Sequence, residues 1–174
     1  MRQKLKMTLI LIGMPGCGKS CMGRALARKL KMKNIDADRI IERLAGKKLI
    51  DIINEDGLEA FKKLEEEALL SINGDNLIIS TGGSAVYYPK AMEYFKSFGK
   101  IVYLHCTYDV IKWRLGDFSK RGVLLKDGQT LLDLYNERCK LYEKYADITI
   151  DCSGNAYSKY QARAITAIKY LHDL

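Results

Sequence analysis

"GMPGCGKS", Gly13 to Ser20, lies between the apolar run "TLILI" (Thr8 to Ile12) and the stretch "CMGRALARKL" (Cys21 to Leu30). A glycine, four residues, a second glycine, a lysine and a hydroxyl residue is the spacing of a loop whose backbone N–H groups wrap phosphate oxygens. Chance supplies such a match in roughly one chain of this length per hundred, so the flanks decide. Five apolar or β-branched residues before the loop read as a strand. After it, Met22, Ala25, Leu26 and Leu30 recur on one helical face. A strand leading through glycines into a helix start puts unpaired N–H groups and the positive end of the helix dipole at one point. In that setting Gly16, Cys17, Gly18, Lys19, Ser20 and Cys21 form a nucleotide-phosphate site. Lys19 reaches the outer phosphates, and the Ser20 hydroxyl ligates Mg²⁺.

Working outward, strand and helix signals alternate along the whole chain. Short apolar runs recur at Asn34 to Asp36, Leu77 to Thr81, Ile101 to Cys106 and Ile148 to Cys152. Several are apolar almost throughout, as strands covered on both faces must be. Between them Phe61, Leu64, Ala68 and Ile72 keep a helical period, as do Ala162, Ile165, Ile168 and Leu171. This alternation predicts an α/β fold in one domain over 1–174, a five-stranded parallel sheet flanked by helices. One stretch breaks the pattern: residues 114–129, "RLGDFSKRGVLLKDGQ", carry three glycines and mixed charge with no sustained period. It reads either as a mobile lid or as a plain surface connection.

Composition narrows the function classes. The chain has 174 residues, 48% of them hydrophobic and 29% charged, which suits a soluble globular protein. No apolar run approaches a membrane span, and the basic, apolar N-terminus runs into the glycine loop without a small-residue cleavage site, so it reads as a strand. Five cysteines, none in a Cys-x-x-Cys pair, suggest reduced thiols and a cytoplasmic location. The net charge of +8 is scattered and accompanies no nucleic-acid-binding signature. Small anionic substrates therefore suit the chain better than nucleic acid or membrane, and a monomer is expected.

Further residues carry chemistry. Asp36 and Asp38 end a short extended segment, two apart, so both could face the ligand crevice, one near Mg²⁺ through water and one at a substrate hydroxyl. The alternative is that Asp38 merely caps a helix beginning at Arg39. Gly82 and Gly83 end the third strand, where backbone can approach a ligand closely or simply turn. Arg138 interrupts the apolar stripe Leu131, Leu134, Tyr135, Leu141, Tyr142 and Tyr145 of a helix over Thr130 to Ala146. An inward guanidinium needs an anion, supplied by an internal acid or by a substrate carboxylate or phosphate.

Together these stretches resemble the shikimate kinases. "GMPGCGKS" matches their phosphate loop, and "DADRIIE" with "GKKLIDIINEDGLEAFKKLE" follows their acceptor-site pattern. "STGGSAV" falls at their Thr-Gly-Gly-Gly-Ala-Val, "KRGVLL" at their lid Arg-Pro-Leu-Leu, and "NERCKLYEKYADITID" at their C-terminal motif. The resemblance implies a P-loop kinase fold with a mobile lid, ATP as co-substrate, Mg²⁺ as cofactor and shikimate as acceptor. It implies that Asp38 binds shikimate hydroxyls and helps deprotonate the attacking one, with Asp36 near Mg²⁺ through water. Gly82, Gly83 and Arg138 would hold the acceptor, Arg138 by its carboxylate. Arg121 would close over the transferring phosphoryl group, and Arg114 with the loop near 153–155 would flank adenine. Three positions depart from the pattern: Lys62 replaces an arginine that is a second carboxylate ligand, Ser84 a glycine, and Gly122 the lid proline. Lys62 keeps the charge without the bidentate fork. Two readings therefore stand beside shikimate kinase: a related kinase of another small hydroxy acid or polyol, and a nucleotide-binding regulator that has lost catalysis.

Overall fold

A computed structural model describes residues 7–117, 123, 125–154 and 157–172. Strand β1, Thr8–Ile12, is buried at all five positions, which is why its run is continuously apolar. It lies at the centre of a five-stranded sheet of order β2-β3-β1-β4-β5, parallel throughout. The other strands are β2 (Lys33–Asp36), β3 (Leu77–Ser80), β4 (Gly99–His105) and β5 (Ile148–Asp151). Ile10 pairs with Ile79 on one side and Ile101 on the other. Strand ends differ from the sequence expectation by a residue or two. Thr81 and Cys152 nevertheless still donate to Leu11 and His105 across the sheet, so the pairing fades over one residue instead of stopping.

Helices α1 (Lys19–Leu30), α2 (Ala37–Ala45), α4 (Leu58–Ser71), α5 (Pro89–Phe98), α6 (Tyr108–Leu115), α7 (Leu131–Tyr145) and α8 (Tyr157–His172) flank the sheet. A short α3, Leu49–Asp51, runs into a π-helical turn at Ile52–Asp56. Helix α1 comes very close to the sheet at Gly23, where a Cβ would stand 2.9 Å from Asn34 Oδ1 and closer still to Ser80 Oγ. A second small core of Ile41, Ile52 and Ala68 joins α2 to α4. Thr130 and Asp133 close a reciprocal capping box at the start of α7.

The strand order places the ends of β1, β3 and β4 around the crevice where parallel sheets bind ligands. Two expectations are corrected here. Asp38 is not part of an extended pair: α2 begins at Ala37, and the Asp36 carboxylate accepts the Asp38 N–H at 3.2 Å. Capping by an aspartate ahead of an apolar period wins over strand extension. The segment expected to be irregular from Arg114 instead begins inside α6. Its far end is also tied down: Val123 is buried, and Gln129 donates to Glu137 of α7. Among the described residues no helix is long and apolar enough to cross a membrane, and all five cysteines are free thiols.

Candidate active site

The loop after β1 is built around close approach. Gly13 has φ +148°, and a Cβ on it would stand 2.6 Å from the Leu104 carbonyl oxygen and 2.8 Å from Cys17 Sγ, so the loop lies flush on β4. Gly18, at φ +95°, precedes α1, and neither a side-chain cap nor an acid occupies that first turn. The helix thus presents free N–H groups and an unopposed dipole, an anion site by construction. Lys19 is buried, and its ammonium donates to the carbonyls of Gly13 (2.7 Å) and Met14 (2.9 Å). The cation is thereby held over the loop. Ser20 is half-buried beside it, and Cys21 is exposed. The C-terminal end of α6 abuts the loop: a Cβ on Gly16 would lie 3.7 Å from Arg114 Cβ. The Arg114 guanidinium donates to Cys106 Sγ and to the Cys152 carbonyl, both at 3.3 Å. Burial pushes the Cys106 thiol up to about 12, so it is neutral near pH 7.

On the other side of the loop the Gly82–Gly83 turn follows β3. A Cβ on Gly83 would stand 2.7 Å and 2.9 Å from ring carbons of Pro15, and 3.0 Å from an Arg138 nitrogen. Phosphate loop, diglycine turn and Arg138 therefore meet at one point. The Gly83 carbonyl accepts the Tyr142 hydroxyl at 2.6 Å. A Cβ on Gly82 would lie 2.6 Å from Glu65 Oε1 and 3.5 Å from Asp38 Oδ1, so two carboxylates flank that residue. Burial, then the neighbouring Asp36, raises the Asp38 carboxyl above its ordinary value, with Lys19 pulling the other way. Glu65 is raised by burial and partly relieved by hydrogen bonds from Ser84 and Tyr88.

Arg138 is 7% exposed. Its Nε donates to the Tyr87 hydroxyl at 3.4 Å, and its guanidinium carbon lies 5.3 Å from the Tyr87 ring centre. Tyr87 in turn donates to Glu137. Among the described residues no carboxylate lies within ion-pair distance of Arg138. Of the two anion sources left open by the sequence, the arrangement favours an outside one.

Lys19, Asp38, Gly82, Gly83 and Arg138 are brought to one crevice, with Asp36 capping the helix beside them. Lys62 is not: its ammonium pairs with Glu59 at 2.7 Å and its side chain is 47% exposed. An i,i+3 carboxylate on its own helix supplies a partner nearer than the pocket. Arg121 and Gly122 of the expected lid, and Asn155, lie outside the described residues. Glu65 was not singled out from the sequence, although it sits four residues after Phe61 and three before Ala68. It is an acid inside an apolar stripe, the same signal that marks Arg138.

The shikimate kinase family model matches residues 15–169. The chain belongs to the shikimate kinase family. A shikimate kinase of Francisella tularensis subsp. novicida is 35% identical over 150 residues, covering 84% of this chain and 85% of its own. One from Bacillus anthracis is 35% identical over 150 residues, covering 86% and 90%. Among solved structures, a shikimate kinase from Acinetobacter baumannii in complex with shikimate superposes with a TM-score of 0.85 at 28% identity, covering 96% of this chain and 95% of that one. Membership in the family gives the inward Arg138 and the paired loops a common context.

Proposed function

We propose that the chain is an ATP-dependent kinase that transfers the γ-phosphoryl group to the 3-hydroxyl of shikimate. The observation that carries this reading is the contact of Pro15 with Gly83 under Arg138, which brings the glycine loop and the inward arginine side by side. The loop N–H groups and the start of α1 take the phosphates, and Lys19 exchanges its loop carbonyls for the outer phosphate oxygens. Arg114 and residues 153–154 flank the base. The Ser20 hydroxyl and the Asp36 carboxylate, the latter through water, offer the oxygen donors that Mg²⁺ prefers. Mg²⁺ neutralises charge on the phosphates when bound.

Arg138 holds the acceptor carboxylate, and Gly82 and Gly83 let its ring approach the backbone. Asp38 accepts the proton of the attacking hydroxyl as the new P–O bond forms and the bond to ADP breaks. Its raised pKa makes it a better base near neutrality than an exposed aspartate. Arg121 is assigned to the transferring phosphoryl group by the family pattern alone. Most of the rate enhancement then comes from positioning and charge neutralisation.

The test is ADP release with Mg-ATP and a panel of shikimate, quinate, gluconate and nucleoside monophosphates, with product phosphate followed by phosphorus NMR. Shikimate should be the preferred acceptor, and Lys19→Ala should lose at least about a hundredfold in kcat, the scale for removing one preorganised charge. A different preferred acceptor would favour a kinase of another small hydroxy acid or polyol, the reading motivated by Lys62 turning to Glu59. ATP binding without turnover on any acceptor would point to a regulator.

A further inference from the structure

Glu65, at 1% exposure, is among the most deeply buried charged side chains in the molecule, and the phosphoryl-transfer scheme does not use it. Its carboxylate receives the Ser84 hydroxyl, 2.7 Å from each oxygen, and the Tyr88 hydroxyl at 2.8 Å. No ion pair among the described residues includes it. The cation three residues back on α4, Lys62, is turned to Glu59. Arg138 stands across Gly83, acting on Glu65 as a distant charge. The carboxylate is therefore held by hydroxyls.

Its position matters to the acceptor side. Glu65 Oε1 lies against Gly82, the residue that Asp38 flanks from α2. A buried carboxylate that loses a hydrogen bond does not stay in place: it rotates toward another donor, takes up a proton or admits water. Any of these would shift the Gly82 backbone relative to Asp38.

We propose that Ser84 is a positioning residue for the acceptor, its hydroxyl fixing the Glu65 carboxylate against Gly82 so that the diglycine turn and Asp38 keep their spacing. The proposal rests on the shikimate kinase reading above. Its consequence is that Ser84→Gly should harm acceptor binding, although the change only removes a side chain. Ser84 has φ −87° and ψ −8°, an ordinary conformation, so Ser84→Gly removes the hydroxyl without relieving strain.

The experiment is steady-state kinetics of the wild type, Ser84→Gly, Glu65→Gln and the double variant, with shikimate and ATP varied separately. Ser84→Gly should raise the shikimate KM roughly tenfold, the scale of one hydrogen bond to a charged group. Its kcat should fall as well, because the Gly82 shift moves the acceptor against Asp38, while its KM for ATP should stay within about twofold. In the Glu65→Gln background the same change should add less than about twofold, because the group it acts through is already altered. An unchanged shikimate KM in Ser84→Gly, an equal rise in the KM for ATP, or the same factor in both backgrounds would overturn the proposal and leave the kinase reading intact. A wild type that turns over ATP with another acceptor and not with shikimate overturns both.

Discussion

Replacing Arg138 by methionine separates a ligand-binding arginine from a structural one. The guanidinium is 7% exposed, and its partners are a 3.4 Å hydrogen bond to Tyr87 and the face of that ring. The bond is long and the ring contact contributes about 1 kcal/mol, whereas taking a charge out of water costs several kcal/mol. Before ligand binds, burial opposes the Arg138 charge and Tyr142, Tyr87 and the charge of Glu65 offset it, so little net stability rests on the guanidinium. Methionine keeps the length and apolar stem while removing the charge. Arg138→Met should leave stability unchanged or raise it by up to ~2 kcal/mol, the range seen when buried ionic groups give way to apolar ones. At roughly 2–4 °C per kcal/mol for a chain of this size, Tm should rise by zero to about 8 °C.

Function should move the other way. A carboxylate held by the guanidinium fork loses two charge-assisted hydrogen bonds of about 1.5–3 kcal/mol each. The fall in kcat/KM for shikimate should then be about 10²- to 10⁴-fold. The KM for ATP should stay within about twofold, because Arg138 lies on the acceptor side. Thermal melts with and without shikimate supply the stability arm: the acid should raise Tm in the wild type and not in the variant. A Tm lowered by several degrees with kcat/KM for shikimate within threefold of wild type would refute the reasoning and make Arg138 a strut of α7.

Three other perturbations follow from the geometry. Gly83→Ala places a methyl 2.7 Å and 2.9 Å from a proline ring that cannot turn aside; stability should fall by ~1–3 kcal/mol and the KM for both substrates should rise, as melts and kinetics would read, whereas a rise for one substrate alone would mean that the two loops are not coupled there. Lys62→Ala should change the shikimate KM by less than about twofold, since its ammonium is committed to Glu59 in solvent; a fivefold rise would return Lys62 to the pocket. The raised pKa of Asp38 fixes a sign with pH. The folded chain holds that proton more tightly, so the group's stabilising contribution is full below its ordinary value of 3.8 and is lost as pH climbs through the raised folded value. Asp38→Asn should therefore gain Tm relative to wild type as pH rises above the ordinary value of 3.8, and a difference that does not change with pH would contradict the burial argument.

Much of the site is local or periodic information, and such information is legible in one dimension. The glycine loop is a run of consecutive residues between a strand and a helix. The strands announce themselves because a sheet covered on both faces leaves no place for a polar residue. Arg138 is visible because three- and four-residue spacing on a helix fixes which face a side chain leaves. Periodicity stops at that face and does not say what stands opposite. Lys62 has the spacing to look inward or outward, and the choice went to Glu59 once α4 was placed. Asp38 was misread as strand because capping by Asp36 depends on where α2 starts, a competition between neighbouring conformations that residue types alone leave open. The meeting of Pro15 with Gly83, the hydroxyl clamp of Ser84 and Tyr88 on Glu65, and the Tyr142 bond to the Gly83 carbonyl join segments far apart in the chain. Their distances are set by how α4 and α7 pack beside the crevice. The sequence by itself determined the glycine loop between a strand and a helix and the arginine on the apolar face of α7, because both are local or periodic; only the packing of the helices decided how far apart the two stand and which carboxylates face the space between them.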